Sequence, residues 1–353
     1  MKAILTAGGH GTRLRPITHT QNKHLIPIAN KPMLLYGIEA IAGTGIRDVG
    51  IVVGDTEDEI RGAVGDGSAW GLRITYLRQE APLGLAHVVL TGREFVGEEP
   101  FLMYLGDNML RDGLADFVRA FEENRPDAQI LLAKVPDPSR YGVVAMDGDR
   151  VVQLAEKPRK FVSDLALAGF YLFTEPVFDA AASLRPSGRG ELEITEAIQY
   201  LVDHGNVVRA ERIRGWWKDT GRVEDLLEAN RFVLQEQERL VQGDVDDASH
   251  VVGEVHIEPG AVVRESVIRG PAAIGAGCWI ERSVIDPYTS IYVNTAIVDS
   301  EIGNSIVMDE CRIQDVRRIR DSLIGRNVQV HRDDGAPSSV QLMVGDNCVI
   351  TLT

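Results

Sequence analysis

A repeat of aliphatic residues every six positions in the C-terminal third most strongly restricts how this chain can fold. The repeat runs through Val262, Ile268, Ile274 and Ile280, then Ile285, Ile291 and Ile297, then Ile313 and Ile319, and finally Ile324 and Val330. A helix buries one face every 3.6 residues and a strand every second residue, so neither produces this period. A hexapeptide β-helix does, because each side of its triangular coils points one aliphatic residue inward.

The repeat therefore predicts a parallel β-helix at residues 243–353, in preference to a β-sandwich. If each coil has three sides of six residues, the changes of phase near Ile302 and Arg317 indicate loops or irregular corners. Each coil buries its core only against its neighbours, and a stack of coils leaves edges exposed. We therefore expect this region to mediate homo-oligomerisation or regulation.

The first two thirds of the chain have a different pattern. Short apolar runs at 3–5, 49–53, 73–77 and 101–105 alternate with helical stretches. Such alternation predicts an α/β domain with a doubly wound, mostly parallel sheet. We expect this Rossmann-like domain at residues 1–242, including a helical connector at about 223–242.

Composition excludes several classes of protein. A hydrophobic content of 44% in 353 residues is enough for two domains with their own cores. The formal charge of −15 argues against nucleic acid and anionic membranes as partners. The sequence contains neither a signal-peptide pattern nor an apolar run long enough to span a bilayer. Three widely spaced cysteines, Cys278, Cys311 and Cys348, suggest reduced thiols and a cytoplasmic location.

A glycine-rich segment follows the first apolar run. Gly8, Gly9 and Gly11 would let backbone N–H groups approach an anion. Arg13 can grip phosphate oxygens with two hydrogen bonds, and Lys23 adds a point charge. The segment thus predicts a phosphate site at the carboxyl end of a strand.

The glycine-rich segment fits neither of two common phosphate-binding motifs. It is not a P-loop, because Thr12-Arg13 follows Gly11 where that motif has Lys and Ser or Thr. It is not a dinucleotide fingerprint either, because Leu14 occupies the position of the third glycine.

Gly8 to Thr18 reads Gly-Gly-x-Gly-Thr-Arg-Leu-x-Pro-x-Thr, and Lys23 to Pro27 reads Lys-x-Leu-x-Pro. Both resemble the signature of the sugar-nucleotide pyrophosphorylases, or sugar-1-phosphate nucleotidyltransferases. With the C-terminal repeat, the resemblance implies the long form of this family, which carries a left-handed β-helix. It implies Mg²⁺-dependent transfer of a nucleotidyl group from dTTP to glucose 1-phosphate. The products would be pyrophosphate and dTDP-glucose, for deoxysugar biosynthesis.

The same resemblance assigns roles to individual residues. Arg13 and Lys23 would hold the triphosphate, together with the glycines and Thr12. Asp107 and Asp219 would bind Mg²⁺, an ion that typically takes one or two protein carboxylates. Gln79 and Gly84 match the segment that reads the base, and an amide suits the edge of thymine or uracil.

The sugar phosphate would bind in the middle of the chain. Lys157 aligns with the family lysine that binds the sugar's phosphate, and it is a candidate catalytic residue with Arg13 and Lys23. The residues expected to contact the sugar are Asn108, Gly142, Glu156, Gly169 and Tyr171. Glu193 and Trp217 could form the pocket wall or serve only in packing.

Three alternatives remain open from the sequence. The enzyme could be a uridylyltransferase that uses UTP, and its β-helix could carry an acetyltransferase activity. The chain could also be an inactive regulatory subunit, although all the candidate phosphate and metal residues are present. We interpret His87 and His331 as structural residues.

Overall fold

The computed structural model describes residues 1–9, 11–332 and 342–352. Contacts divide the chain into two compact units. The first, here called the sheet unit, contains Met1–Gly9 and Leu34–Asp219, and the second, the coil unit, contains His10–Met33 and Thr220–Thr353. Residues 10–33 and 220–242 thus group with the β-helix, and the domain boundary expected at 242/243 stays a prediction.

Eleven strands form the two sheets of the sheet unit. They are β1 (Lys2–Thr6), β2 (Asp48–Val53), β3 (Arg73–Arg78), β4 (Phe101–Leu105), β5 (Asn108–Leu110), β6 (Ala128–Lys134), β7 (Gly142–Asp147), β8 (Arg150–Glu156), β9 (Leu165–Phe173), β10 (Val208–Arg212) and β11 (Trp217–Asp219). The main sheet has nine strands in the order β8-β7-β9-β4-β1-β2-β3, with β6 beside β9 and β10 beside β6. The separate pair is β5 with β11.

The main sheet is parallel from β4 to β3 and mixed on the other side of β4, where β10 is parallel to β6. Strands β4, β1, β2 and β3 are parallel, as expected for strands joined through helices. Strand β9 runs antiparallel to β4, β6 and β7, which makes the sheet mixed. The predicted Rossmann-like α/β fold is confirmed. Its core is apolar and aromatic, with the buried Phe101 ring 5.6 Å from Phe178 and 5.8 Å from Phe173.

Seven α-helices accompany the described strands. They are α1 (Met33–Gly43), α2 (Glu57–Val64), α3 (Leu85–Val96), α4 (Ala115–Asn124), α5 (Pro176–Ser183), α6 (Ile194–Asp203) and α7 (Val223–Glu236). Helix α1 buries Leu34, Ile38 and Ile41, which recur at helical spacing. Helix α7 ends at Glu236, earlier than the predicted connector. Among the helices described here, none is long and apolar enough to cross a bilayer.

Short parallel strands of the coil unit form three sheets. The first contains Leu240–Val241, Val255–Ile257, Ala272–Ile274, Thr289–Ile291, Ile306–Val307, Leu323–Ile324 and Met343–Val344. The second contains Asp244–Val245, Val262–Arg264, Trp279–Glu281, Ala296–Val298, Arg312–Gln314, Gln329–Arg332 and Val349–Leu352. The third contains His250–Val252, Val267–Arg269, Val284–Ile285, Glu301–Gly303 and Ile319–Arg320. The predicted left-handed parallel β-helix is confirmed. A small hairpin, Pro27–Ile28 with Lys31–Pro32, belongs to the same unit.

Most of the coils in the described part of the chain are shorter than three full hexapeptides. Val262 pairs with Trp279 and Val267 with Val284, which are 17 residues apart, and Ile297 pairs with Ile313 after only 16. One or two sides of a coil therefore have five residues, and the expectation of three six-residue sides is wrong. Of the loops or irregular corners expected near Ile302 and Arg317, Ile302 itself is buried in a strand of the third sheet, and Arg317 lies in a bend between two strands. The change of phase there comes from short sides.

A serine ladder closes one corner of the stack. The backbone N–H of Ser283 donates to Ser266 Oγ at 3.0 Å, and that of Ser300 donates to Ser283 Oγ at 3.1 Å. The residues before these serines have left-handed backbone, for example Arg282 with φ of 44°. Buried polar groups at this corner are thereby satisfied from one coil to the next.

The inward isoleucines should dominate the stability of the coil unit. Ile280 is 0% exposed, and Ile280→Ala should lower the free energy of unfolding by about 2–5 kcal/mol because it removes buried methyl groups and leaves a cavity. The matched control is Val252→Ala at a position that is 60% exposed, where we expect a change within about 0.5 kcal/mol. Urea denaturation measures both, and equal losses would contradict the assigned core.

Candidate functional site

Four parallel strands end at one edge of the main sheet, and a candidate residue follows three of them. Gly8 lies shortly after β1, Gln79 directly after β3 and Asp107 shortly after β4. The ends are in register, since Thr6 of β1 pairs with Leu105 of β4. Ligands of α/β proteins usually bind at this carboxyl edge. The fold therefore brings the start of the glycine-rich segment, the base-reading candidate and a metal candidate to the same edge.

The backbone is tightly packed where β1 and β2 end. A Cβ atom on Gly8 would lie 3.3 Å from the Gly54 nitrogen, and one on Gly54 would lie 3.2 Å from the Gly8 oxygen. Glycine at both positions lets these two turns approach each other. Gly9, the next residue, is exposed at this edge.

Gly84 fixes the loop between β3 and α3. Its φ is +101°, and a Cβ atom there would lie 2.5 Å from the Leu192 oxygen. The Leu192 N–H donates to the Leu83 carbonyl at 2.7 Å, which fastens the loop to the segment before α6. At the other end of the loop, Gln79 Nε2 lies 2.9 Å from His87 Nδ1. Both predicted base-reading residues thus belong to one loop held by several contacts.

The two predicted metal ligands lie at neighbouring positions. Asp219 of β11 pairs with Asn108 of β5, the residue after Asp107. Asn108 Nδ2 donates to Asp107 Oδ1 at 3.0 Å, and Asn108 Oδ1 accepts from Trp217 Nε1 at 2.9 Å. Two carboxyl residues at neighbouring backbone positions fit Mg²⁺, which typically takes one or two protein carboxylates. Within residues 1–9, 11–332 and 342–352, no group of three or more His, Cys, Asp or Glu side chains has the geometry of a metal site.

Glu156 and Lys157 line a pocket of about 750 Å³. Glu156 ends β8 opposite Gly142, where a Cβ atom would lie 3.0 Å from Glu156 Oε2 and 2.5 Å from Thr195 Cγ2. Thr195 Oγ1 donates to Glu156 Oε2 at 3.3 Å, and Lys157 Nζ lies 3.5 Å from Glu156 Oε1. The absence of a side chain at Gly142 therefore makes room for the carboxylate of Glu156.

Burial and the neighbouring cations act on the pKa of this carboxyl group in opposite directions. Desolvation raises the pKa of Glu156 above its usual value, and Glu193 raises it further, while Lys157 and Arg189 act in the opposite direction. Burial disfavours the ionised form, and nearby cations favour it. A carboxylate held in this way can accept hydrogen bonds from sugar hydroxyls.

Gly169 brings β9 against Asn108. It has φ of +82°, and a Cβ atom there would lie 2.8 Å from Asn108 Cγ. Tyr171, two residues later, is 2% exposed and its ring stacks on Phe173 at 5.7 Å. Burial, Glu156 and Asp107 all raise the pKa of the Tyr171 hydroxyl. Little of the Tyr171 ring is left for a ligand, and its contact with the sugar stays a prediction.

The remaining phosphate candidates lie in the coil unit. Gly11 has φ of +58°, and a Cβ atom there would lie 3.0 Å from Lys23 Cβ and 2.9 Å from Thr18 Cγ2. Thr12 and Arg13 are exposed on a short 3-10 helix, Thr12–Leu14. A Cβ atom on Gly221 would lie 2.9 Å from Arg13 Nη2, so glycine at 221 leaves room for the guanidinium.

Sequence reasoning did not identify Arg189 as a pocket residue. Its guanidinium binds both carboxylate oxygens of Glu193, with Nε–Oε1 at 3.0 Å and Nη2–Oε2 at 2.8 Å. Arg189 Nη2 also lies 3.5 Å from Glu156 Oε1. Glu193 is only 4% exposed and orients this arginine in the pocket. The only signal in the sequence was an arginine between Gly188 and Gly190.

Residues 2–236 match the nucleotidyl transferase family. This match covers the α/β fold, the glycine-rich segment and the pocket described above. The chain belongs to the nucleotidyl transferase family.

Relatives extend the similarity through the β-helix. A glucose-1-phosphate thymidylyltransferase of Streptomyces griseus is 52% identical over 98% of both chains. One of Streptomyces antibioticus is 52% identical over 100% of this chain and 99% of its own. A Bacillus anthracis protein described as a glucose-1-phosphate thymidylyltransferase, solved with sucrose, has a TM-score of 0.63 and 34% identity, over 66% of this chain and 94% of its own. The resemblance to long-form sugar-1-phosphate nucleotidyltransferases is confirmed.

The contact between Gly169 and Asn108 should matter for activity. Gly169→Ala should lower nucleotidyl transfer because the methyl group displaces Asn108, which hydrogen-bonds to Asp107. Gly148→Ala is the matched control, since Gly148 also has positive φ but has no atom near its Cβ position.

Each alanine should lower the free energy of unfolding by about 1–2 kcal/mol, because both positions have left-handed backbone. Gly169→Ala should lower it further, because its methyl group also meets Asn108. Only Gly169→Ala should also reduce the rate of pyrophosphate release. Equal activity of the two folded variants would argue against a role for this contact.

Glu156 should make stability fall as pH rises. Between its usual pKa of 4.5 and its raised value in the folded protein, the unfolded chain has already released the proton that the folded chain retains. The free energy of unfolding therefore decreases as pH rises through this window. Glu156→Gln removes this effect, so the variant should gain stability relative to wild type from pH 4.5 to pH 7. Urea denaturation at both pH values measures it, and a relative loss at pH 7 would contradict the assigned direction.

Proposed function

We propose that this enzyme transfers a thymidylyl group from dTTP to glucose 1-phosphate and releases pyrophosphate. The observation that carries the proposal is the gathering of Gly8, Gln79 and Asp107 at one edge of the sheet. Asn108, which hydrogen-bonds to Asp107, also contacts Gly169, another residue that we assign to the sugar. The names of the relatives support dTTP and glucose 1-phosphate as the two substrates.

The reaction is a single displacement at phosphorus. A phosphate oxygen of glucose 1-phosphate forms a bond to the α-phosphorus of dTTP. The bond between that phosphorus and the bridging oxygen breaks, and the electron pair leaves with pyrophosphate. The protein's task is to position two anions and to stabilise the charge that develops between them. A covalent intermediate with the enzyme is unnecessary.

The two phosphate groups would be held by different residues. We assign the triphosphate to the backbone of Gly8, Gly9 and Gly11, to Thr12, and to the side chains of Arg13 and Lys23. The planar guanidinium of arginine can donate two hydrogen bonds to phosphate oxygens, and lysine adds a compact positive charge. Lys157 would hold the phosphate of the sugar, next to Glu156, which would accept its hydroxyls.

Asp107 and Asp219 would hold Mg²⁺, which when bound offsets the negative charge of the triphosphate. The hydrogen bond from Asn108 Nδ2 keeps Asp107 Oδ1 in a fixed direction. Trp217 Nε1 in turn holds Asn108 in place. It donates to Asn108 Oδ1 at 2.9 Å and to the Ala168 carbonyl at 2.8 Å. The carboxylate of Asp107 is thus oriented before any ligand binds.

We further propose that the enzyme acts in the cytoplasm, for deoxysugar biosynthesis, and that its β-helix mediates homo-oligomerisation. Three buried or half-buried cysteines without disulfides are compatible with a reducing compartment. Short edge strands at the ends of the coil stack offer backbone groups that another chain could cover.

A substrate grid tests the proposal. Pyrophosphate release should be highest with dTTP and glucose 1-phosphate in Mg²⁺, and a chelator should abolish it. Preference for UTP with N-acetylglucosamine 1-phosphate would overturn the substrate assignment, and undiminished turnover in chelator would remove the metal proposal. Free coenzyme A, released from acetyl-CoA and a hexosamine phosphate, would reveal an acetyltransferase.

Lys157 provides a sharper test of the sugar site. Lys157→Ala should raise the KM for glucose 1-phosphate by roughly tenfold, because it loses a charge-assisted hydrogen bond to the sugar's phosphate. The KM for dTTP should stay near the wild-type value. Lys160→Ala, three residues away and also exposed, is the control and should change neither constant. A selective effect on dTTP would move Lys157 to the other substrate.

A further inference from the structure

A buried asparagine of α7 ties the hairpin of the coil unit to its β-helix. The side chain of Asn230 is buried, and its Oδ1 accepts hydrogen bonds from the Ala29 N–H at 2.8 Å and from Ser290 Oγ at 2.7 Å. Its Nδ2 donates to the Tyr288 carbonyl at 3.1 Å. Because the backbone N–H can only donate and the backbone carbonyl can only accept, these two groups determine the orientation of the amide. Asn230 therefore bonds at once to the tip of the hairpin and to a coil whose strand, Thr289–Ile291, belongs to the first sheet.

The tip of the hairpin has a backbone conformation that alanine does not favour. Ala29 has φ of 46°, and Asn30 has φ of 63°. Asparagine adopts left-handed backbone more readily than alanine, because its short polar side chain can bond locally. A residue in such a conformation is found where the surrounding structure holds it there. At this tip the holding contacts come from Asn230 and from the β-helix, since Asn30 Nδ2 donates to the Ile291 carbonyl at 2.9 Å.

The hairpin is bonded to a residue that we assign to the triphosphate. Lys23 begins a 3-10 helix, Lys23–Leu25, that leads into the hairpin. The Ile26 N–H donates to the Lys23 carbonyl at 3.2 Å, and the Met33 N–H donates to the Ile26 carbonyl at 3.1 Å, which closes the base of the hairpin. The position of the Lys23 backbone therefore depends on the position of the hairpin.

The segment before Lys23 has its own contact with the first sheet. Gln21 is only 5% exposed, although glutamine is usually at the surface. Its Nε2 lies 3.4 Å from Sδ of Met308, the residue that follows the strand Ile306–Val307. Lys23 thus lies between two segments, one on each side of it in the chain, that both contact the β-helix.

We propose that the β-helix takes part in the reaction by positioning Lys23 for the triphosphate, and that Asn230 is the residue through which it does so. Asn230 acts through the hairpin, as a positioning residue, and need not touch the nucleotide. The inference rests on the proposed function, in which Lys23 holds the triphosphate. It gives the β-helix a task within each chain, in addition to the homo-oligomerisation proposed above.

Two substitutions at position 230 separate positioning from stability. Asn230→Ala removes the acceptor of the Ala29 N–H and so releases the tip of the hairpin. Asn230→Asp keeps an oxygen that can accept from both Ala29 and Ser290, and it changes only the group that faces the Tyr288 carbonyl. Ile280→Ala is the matched control, because it should destabilise the same β-helix from inside its coils.

The readout is the dissociation constant for dTTP, measured by titration calorimetry in Mg²⁺. A variant that is only less stable contains less folded protein, which lowers the number of binding sites but not the affinity of each. We expect Asn230→Ala to raise the dissociation constant roughly 3- to 10-fold, because the Lys23 ammonium is no longer held where it meets the triphosphate. Asn230→Asp and Ile280→Ala should keep it within about 1.5-fold of wild type. The KM for glucose 1-phosphate should stay near the wild-type value in all three variants.

Asn30→Gly is a second variant for the case that Asn230→Ala does not fold. It removes the hydrogen bond to the Ile291 carbonyl, and glycine readily adopts the left-handed backbone of position 30. We expect it to raise the dissociation constant for dTTP roughly 2- to 3-fold.

The outcomes separate this inference from the proposed function. In a Lys23→Ala background, Asn230→Ala should raise the dissociation constant no further, because the side chain that it positions is gone. A wild-type chain that releases no pyrophosphate with any triphosphate would reject the proposed function and the inference together. An active wild type whose affinity for dTTP is unchanged in Asn230→Ala and in Asn30→Gly would reject the inference alone. So would an equal further loss in the Lys23→Ala background, because Asn230 would then act without Lys23.

Discussion

Asn108 occupies the point at which three segments of the sheet unit meet. Its backbone pairs with Asp219, its amide nitrogen binds Asp107, and its amide oxygen accepts from Trp217. Gly169 leaves the space that this buried side chain needs. These contacts hold the carboxylate of Asp107 and place the backbone of Asp219, more than a hundred residues later in the chain, at the neighbouring position. The candidate metal site therefore depends on one asparagine whose polar atoms are all engaged, which is the condition for burying an amide at low cost.

The site also requires glycine at positions where other atoms approach the backbone closely. Gly8 approaches Gly54 where two strands end, and Gly142 makes room for a buried carboxylate. In each case a Cβ atom would lie too close to backbone atoms or to a functional side chain. These glycines thus contribute through the absence of a side chain, which allows close approach of other atoms, more than through flexibility.

Local sequence predicted much of the fold and part of the site. Hydrophobic periodicity revealed the β-helix because inward isoleucines repeat along the chain. It could not give the length of a coil, since a five-residue side such as that from Ile280 to Ile285 only shifts the phase. The antiparallel strand β9 was not foreseen, because direction within a sheet is set by tertiary pairing. Arg189 was missed for the same kind of reason: its role comes from ion pairs with Glu156 and Glu193, formed only on folding.

The serine ladder has a consequence for how the coil unit can change length. Each serine hydroxyl receives the backbone N–H of the following coil, so adjacent coils are bonded level by level. Duplication of one entire coil between Ser266 and Ser300 would bring serine onto serine again and keep the inward isoleucines in phase. The ladder already ends where the N–H of Val316, in place of a serine, donates to Ser300 Oγ. At this corner, whole coils are therefore the insertions that keep the serine-to-serine hydrogen bonds intact.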